Sequence, residues 1–207
     1  MSNNKLEETE VKLYTPDLAA VESALASLGA SQTKARVFER NVRYENPQQD
    51  LTPQGIVLRL RQDSQAKLTY KASKGVHNGI TTRFEAEVVV SDFDTMDTLL
   101  KQLGFQPYMV YEKYRTTYTL GDAEIVLDEM PYGNFTEIEG TIETIEPLIN
   151  QLNLDNTPRF VDSYTVIFDH VCANLGLGFH DLTFDNFAGV DVPHNALYSS
   201  SKNEARP

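Results

Sequence analysis

The sequence predicts an α+β fold: a closed eight-stranded antiparallel β-barrel, a tunnel with a charged interior, flanked by about four amphipathic helices. Three observations carry this. Eight β-rich segments with two-residue periodicity are separated by Gly, Pro and Asn-rich breaks. Most of them set one apolar face against one charged face. Four further segments repeat apolar residues at helical spacing and can cover the apolar strand faces. If they cover those faces from outside, closure of the sheet turns the charged faces inward.

The strands fall at about 6–14, 35–45, 56–63, 66–73, 82–90, 110–119, 122–129 and 135–141. The breaks are Asn46-Pro47, Pro53-Gln54-Gly55, Gly75 to Gly79, Gly121-Asp122 and Tyr132-Gly133-Asn134. A first helix is predicted over 16–28, with Thr15 as its cap, Pro16 in its first turn and Gly29 at its end. Its stripe is Leu18, Val21, Leu25 and Leu28. A second covers about 92–103, with Phe93, Met96, Leu99, Leu100 and Leu103 on one side. A third covers about 145–152. The fourth, 163–175, carries Tyr164, Ile167, Phe168, Val171 and Leu175, with Asp162 as the expected cap and Gly176 as the stop. Phe179, Leu182, Phe184 and Phe187 are apolar enough to dock on the body. No linker interrupts the strands and helices, so 6–194 reads as a single domain, and the polar 195–207 as a disordered tail.

Residues two apart in a strand share a face. Glu8, Glu10 and Lys12 align against Val11 and Leu13. Arg59 and Arg61 align against Leu58 and Leu60; Lys67, Thr69 and Lys71 share a face. Arg83, Glu85 and Glu87 oppose Phe84, Ala86 and Val88. Lys113 and Arg115 align, as do Glu124, Val126 and Asp128, and Glu137 and Glu139 flank Ile138. An open sheet with a solvated charged face is the plainer alternative. Against it stand the E-x-E and R-x-R pairing and the preference for Arg, which suits bidentate contact with carboxylate or phosphate. A charged interior cannot be a dry core, because unpaired buried charge is very costly.

The bulk properties bound the partners. The chain has 207 residues and a formal net charge of −12, which argues against broad binding to nucleic acid or an anionic membrane. No apolar run approaches the length of a membrane span. The N-terminus does not read as a signal peptide, and the single Cys172 forms no internal disulfide, so the expectation is a cytoplasmic protein. A homodimer is left open. The histidines lack metal-ligand spacing, and there is no Walker loop, G-x-S-x-G or G-x-G-x-x-G.

Carboxylates packed this closely call for a cation, and an all-oxygen set suits Mg²⁺ or Mn²⁺ better than Zn²⁺. The accompanying arginines and lysines call for a highly charged anion. A small-molecule polyphosphate meets both demands.

These motifs resemble the CYTH family, the triphosphate tunnel metalloenzymes. The resemblance runs from Glu8-x-Glu10-x-Lys12 through Arg59-Leu-Arg61, Thr-Tyr-Lys71, Arg83-Phe-Glu85-Ala-Glu87, Lys113-Tyr-Arg115 and Leu-Asp128-Glu. It continues through Glu137-Ile-Glu139-Gly to Ser163-Tyr164, and covers residues 8 to about 175. It implies an enzyme acting on a triphosphate with a divalent metal. Glu8, Glu10, Asp128, Glu137 and Glu139 are then the expected metal ligands. Arg59, Arg61, Lys71, Lys113 and Arg115 are the expected phosphate holders, with Arg83 joining them in the substrate-binding set. Glu85 and Glu87 either balance charge or bind a second metal, and Lys12 orients or helps deprotonate an attacking water. The family includes triphosphatases, thiamine triphosphatase and class IV adenylate cyclases, which convert ATP to cyclic AMP and pyrophosphate. A non-catalytic polyphosphate-binding domain is a further alternative.

Overall fold

Eight antiparallel strands close on themselves in the computed structural model, which describes residues 6–199. In chain order they are β1 (Glu7–Tyr14), β2 (Ser31–Glu45), β3 (Ile56–Gln62), β4 (Ala66–His77), β5 (Ile80–Val90), β6 (Gln106–Leu120), β7 (Ala123–Met130) and β8 (Gly133–Glu139). Around the ring they run β5-β4-β3-β2-β6-β7-β8-β1, and β1 returns to β5 through pairs from Glu7↔Phe84 to Val11↔Ile80. Where β5 ends, the two-residue β9 (Arg159–Phe160) takes over the same edge of β1.

Several strands outrun their predicted limits for a local reason. Asn78 and Gly79 both have positive φ, 50° and 77°, the geometry of a two-residue hairpin turn. The predicted break from Gly75 to Gly79 therefore shrinks to two residues, and β4 and β5 extend up to it.

The four helices are α1 (Leu18–Ser27), α2 (Phe93–Gln102), α3 (Ile142–Gln151) and α4 (Tyr164–Leu175). Two expected caps move. Asp17 caps α1 by accepting the Ala20 N–H at 3.1 Å, while the Thr15 hydroxyl donates to the Leu13 carbonyl. Ser163, not Asp162, caps α4 by accepting the Val166 N–H at 3.3 Å. Gly176 ends α4 in the left-handed conformation, as its position predicts.

The helices divide the covering work. Val21 and Leu25 of α1 and Ile145, Leu148 and Ile149 of α3 pack on the outer faces of β1, β7 and β8, at Val11, Leu13, Ile125, Leu127 and Ile138. Leu100 of α2 packs on Val42, Tyr44 and Leu60. α4 does something else. It packs on Met109, Met130 and Phe135, which share strand faces with Lys113, Asp128 and Glu137. Those are inward positions, so α4 lies across one end of the tunnel.

The segment after α4 docks as predicted: Leu182 bridges to Tyr111, and Phe179 and Phe187 join the cluster under α4. The expectation of a disordered tail from 195 is corrected for its first residues. His194–Leu197 forms a 3-10 turn with Ala196 and Leu197 buried, and the Asn174 amide donates to the Ala196 and Tyr198 carbonyls. Apolar burial of Ala196 and Leu197 offsets the polar composition around them. The rest of that expectation, 200–207, lies outside the described residues. No helix among the described residues is long and apolar enough to cross a membrane.

Candidate active site

A cavity of about 470 Å³ runs through the ring. Strand alternation delivers its lining: inward positions of β1, β3, β4, β5, β6 and β8 bring together Lys12, Arg59, Arg61, Lys71, Arg83, Lys113 and Arg115 with Glu8, Glu10, Glu85, Glu87, Glu137 and Glu139. Of the predicted site residues, only Asp128 does not line it.

One wall is acidic. Glu8 and Glu10 lie on β1, Glu139 on β8 and Glu124 on β7, three neighbouring strands. Glu139 stands directly opposite Glu10 in one ladder and opposite Glu124 in the other. Burial, followed by the charges of Glu8 and Glu124, pushes the Glu139 carboxyl up to about 8. Burial raises Glu10 too, reinforced by Glu137 and Glu8. Burial also raises Glu8, although Lys71 donates to both its oxygens, at 2.8 and 2.6 Å. Lys71 is also 3.0 Å from Glu85, and Arg83 is 3.6 Å from Glu10.

Among the described residues no three His, Cys, Asp or Glu side chains form a ready-made metal cluster. The donor set nonetheless fits a hard divalent ion. It is all oxygen, and three of its carboxyls sit above their usual range in a way that a cation among them would reverse.

The opposite wall is basic. Arg59 and Arg61 come from β3, Arg43 from β2, and Lys113 and Arg115 from β6. Glu39 of β2 sits inside this wall, 1% exposed, with Lys113 at 3.7 Å and Arg61 at 3.6 Å. Burial pushes its carboxyl up, but Lys113, Arg115, Arg61 and Arg59 outweigh burial and hold it down at about 2. Glu87 plays a similar part at the rim, 3.2 Å from Arg61 and 2.7 Å from Lys67. Burial is again opposed, first by Arg61, and Glu87 is held at about 2. In this structure Glu87 is paired with Arg61 and Lys67.

Asp128 departs from the expectation of a metal ligand. It is fully buried, and its oxygens accept from Arg115, from Lys113 at 2.9 Å and from the Tyr164 hydroxyl at 2.8 Å. Its lone pairs are turned to these donors, and it has no face on the cavity.

Lys12 joins the two walls. Its Nζ lies 3.3 Å from Glu137, donates to the Asp162 carbonyl at 3.2 Å, and stands 4.5 Å from the centre of the Tyr164 ring. Glu137 also accepts from Arg115 at 2.8 Å. Burial works against the Glu137 charge, but Lys12, Arg115 and Lys113 hold its carboxyl well below the usual range.

The structure adds lining residues that sequence reasoning missed, Arg43 from β2, Tyr111 from β6 and Thr165 at the start of α4, and brings in Glu124 and Ser163, which the sequence had placed on the charged face of β7 and in the last motif without a role. Glu39, Asn41 and Arg43 alternate along β2 and could have been found by parity. Arg40 on the other parity obscured that signal by putting charge on both faces.

The CYTH domain family model matches residues 6–151. No curated protein matches the chain. Among solved structures, a Vibrio parahaemolyticus protein described as a candidate adenylate cyclase is 21% identical, with a TM-score of 0.68 over 79% of this chain and 98% of its own. A protein from Pyrococcus horikoshii OT3 is 25% identical, with a TM-score of 0.64 over 78% of this chain and 98% of its own. A Hippeastrum protein, an adenylyl cyclase candidate described by a dominant triphosphatase activity, is 17% identical, with a TM-score of 0.58 over 78% of this chain and 95% of its own. The ring of strands, its charged lining and the match over most of its length agree: this chain belongs to the CYTH domain family.

Proposed function

We propose that the protein is a divalent-metal-dependent enzyme acting on a triphosphate group, most simply by hydrolysis. The observation that carries this reading is the division of one cavity into an acidic and a basic wall. A substrate between them must offer many anionic oxygens, and a triphosphate does so in a small volume.

Arg59, Arg61, Lys71, Arg83, Lys113 and Arg115 hold phosphate oxygens. Asp128 and Glu39 keep the β6 and β3 cations oriented toward them. Glu8, Glu10, Glu137 and Glu139 are the residues that would hold Mg²⁺ or Mn²⁺. A bound divalent ion supplies charge neutralisation and polarises phosphoryl oxygens. Lys12, held by Glu137 and the Asp162 carbonyl, donates to the attacking water or to a phosphate oxygen on this reading. The apolar lining is limited to Val57, Val126 and the rings of Tyr111 and Tyr164, which favours a compact charged substrate over one with a large base.

The test is a panel of inorganic triphosphate, thiamine triphosphate and ATP with Mg²⁺ or Mn²⁺, with products identified. Orthophosphate release supports hydrolysis. Cyclic AMP with pyrophosphate moves the reaction to cyclisation, and no turnover of any of the three contradicts the proposal.

A further inference from the structure

Arg43 lines the cavity with no carboxylate at ion-pair distance among the described residues; Glu45 and Asp169 attract its charge only from farther off. It is 6% exposed, and its guanidinium donates to two neutral hydroxyls: Thr165 at 2.6 Å and Thr52 at 2.9 Å. Its Nε is buried and has no partner among the described residues. Arg59 stands beside it in the β2–β3 ladder, and the Arg59 Nε is likewise without one. Burial draws the Arg43 guanidinium below its usual range, only partly countered by neighbours such as Tyr111 and Glu45. A buried cation with no ion pair is costly unless a ligand supplies the negative charge.

The surroundings hold that cation in place. The Glu45 carboxylate accepts the N–H groups of Leu51 and Thr52, at 3.1 and 2.8 Å, and the Thr52 hydroxyl. Thr52 is thereby fixed against Arg43. On the other side Thr165 lies in the first turn of α4, the positive end of the helix dipole, which opens on the same cavity. In the ring of strands β2 is four strands from β1 by either route, so Arg43 lies across the tunnel from Glu8 and Glu10.

Resting on the triphosphate reading above, we infer that Arg43, with Arg59 and the first turn of α4, is a further substrate seat, taking the phosphate farthest from the acidic wall. The seat selects for length. On this inference a triphosphate engaged at the acids of β1 spans to Arg43 on the opposite side of the ring, and a diphosphate held there does not.

The experiment is calorimetric binding of inorganic triphosphate and inorganic pyrophosphate to wild type and Arg43→Gln with Ca²⁺ in place of Mg²⁺, the triphosphate being recovered afterwards to check that it is intact. The expected result is a loss of about 10- to 100-fold for triphosphate, the scale of a lost charge-assisted contact, and less than about 3-fold for pyrophosphate. Unchanged triphosphate binding, or equal losses for both ligands, overturns the seat and leaves the triphosphate reading standing. Wild type that binds neither ligand overturns both. If Arg43→Gln does not fold, Arg43→Lys carries the same test, since it keeps the charge but cannot span Thr52 and Thr165. It should lose about 3- to 10-fold for triphosphate alone, and equal or absent losses count against the seat.

Discussion

Asp128 faces Arg115 across the β6–β7 ladder, and the aspartate's two oxygens serve Arg115, Lys113 and Tyr164 together. A carboxylate so engaged organises cations. Asp128→Asn should therefore lower the melting temperature and raise KM for the triphosphate about 10-fold or more, because buried Lys113 and half-buried Arg115 lose their counter-ion. Metal affinity should change little. Calorimetric metal titration decides the point: a loss as large as in Glu139→Gln would make Asp128 a ligand after all.

The architecture predicts opposite behaviour from neighbours on β3. Leu60 is fully buried under α2, so Leu60→Asp buries an unpaired charge and should destabilise by about 3 kcal/mol or more. Arg61 lines the cavity, so Arg61→Ala should fold and bind triphosphate more weakly. Thermal melts and binding titrations on the two variants separate them. An open sheet with a solvated charged face predicts no binding defect from Arg61→Ala.

Much of this was legible because alternation is a rigid rule. Ile138 lies between Glu137 and Glu139, and a strand can place those glutamates only on the face away from α1 and α3. Two things escaped it. β2 carries charge on both parities, with Arg40 against Glu39 and Arg43, so no apolar stripe marks its inner face. The cap by α4 was hidden because a change of character along one face looks like noise in a single strand. Phe135 shares parity with Glu137, and Met130 with Asp128; only the closed ring shows that these apolar residues lie at one end.

Glu39 links stability to acidity. Its folded-state carboxyl sits at about 2, below the unfolded value near 4.5, so it stabilises the fold above pH 4.5 and that contribution is lost as pH falls toward 2. Glu39→Gln should melt lower at neutral pH and show a shallower loss of melting temperature between pH 4.5 and 2. The flattening is partial, since Glu87 is also held at about 2. An unchanged slope would mean that the four cations around Glu39 do not stabilise its charge.

Lys12 separates chemistry from binding. Its Nζ is confined between Glu137, the Asp162 carbonyl and the Tyr164 ring, a space suited to a compact ammonium. Lys12→Arg should retain part of the binding and lose about 10-fold or more in kcat, because the planar guanidinium directs its donors elsewhere. Steady-state kinetics, with a pre-steady-state check that chemistry limits the rate, reads the split. Equal kcat and KM in wild type and variant would remove Lys12 from the chemical step.

The most direct measurement of the central claim is orthophosphate release from inorganic triphosphate, followed in chelator and then with added Mg²⁺ or Mn²⁺, for wild type and Glu139→Gln. The expected result is no turnover in chelator, recovery on adding metal, and a loss on the order of 10²-fold in the folded variant, because Glu139 sits where three carboxylates crowd. Full activity in chelator, or an unimpaired Glu139→Gln, would contradict it.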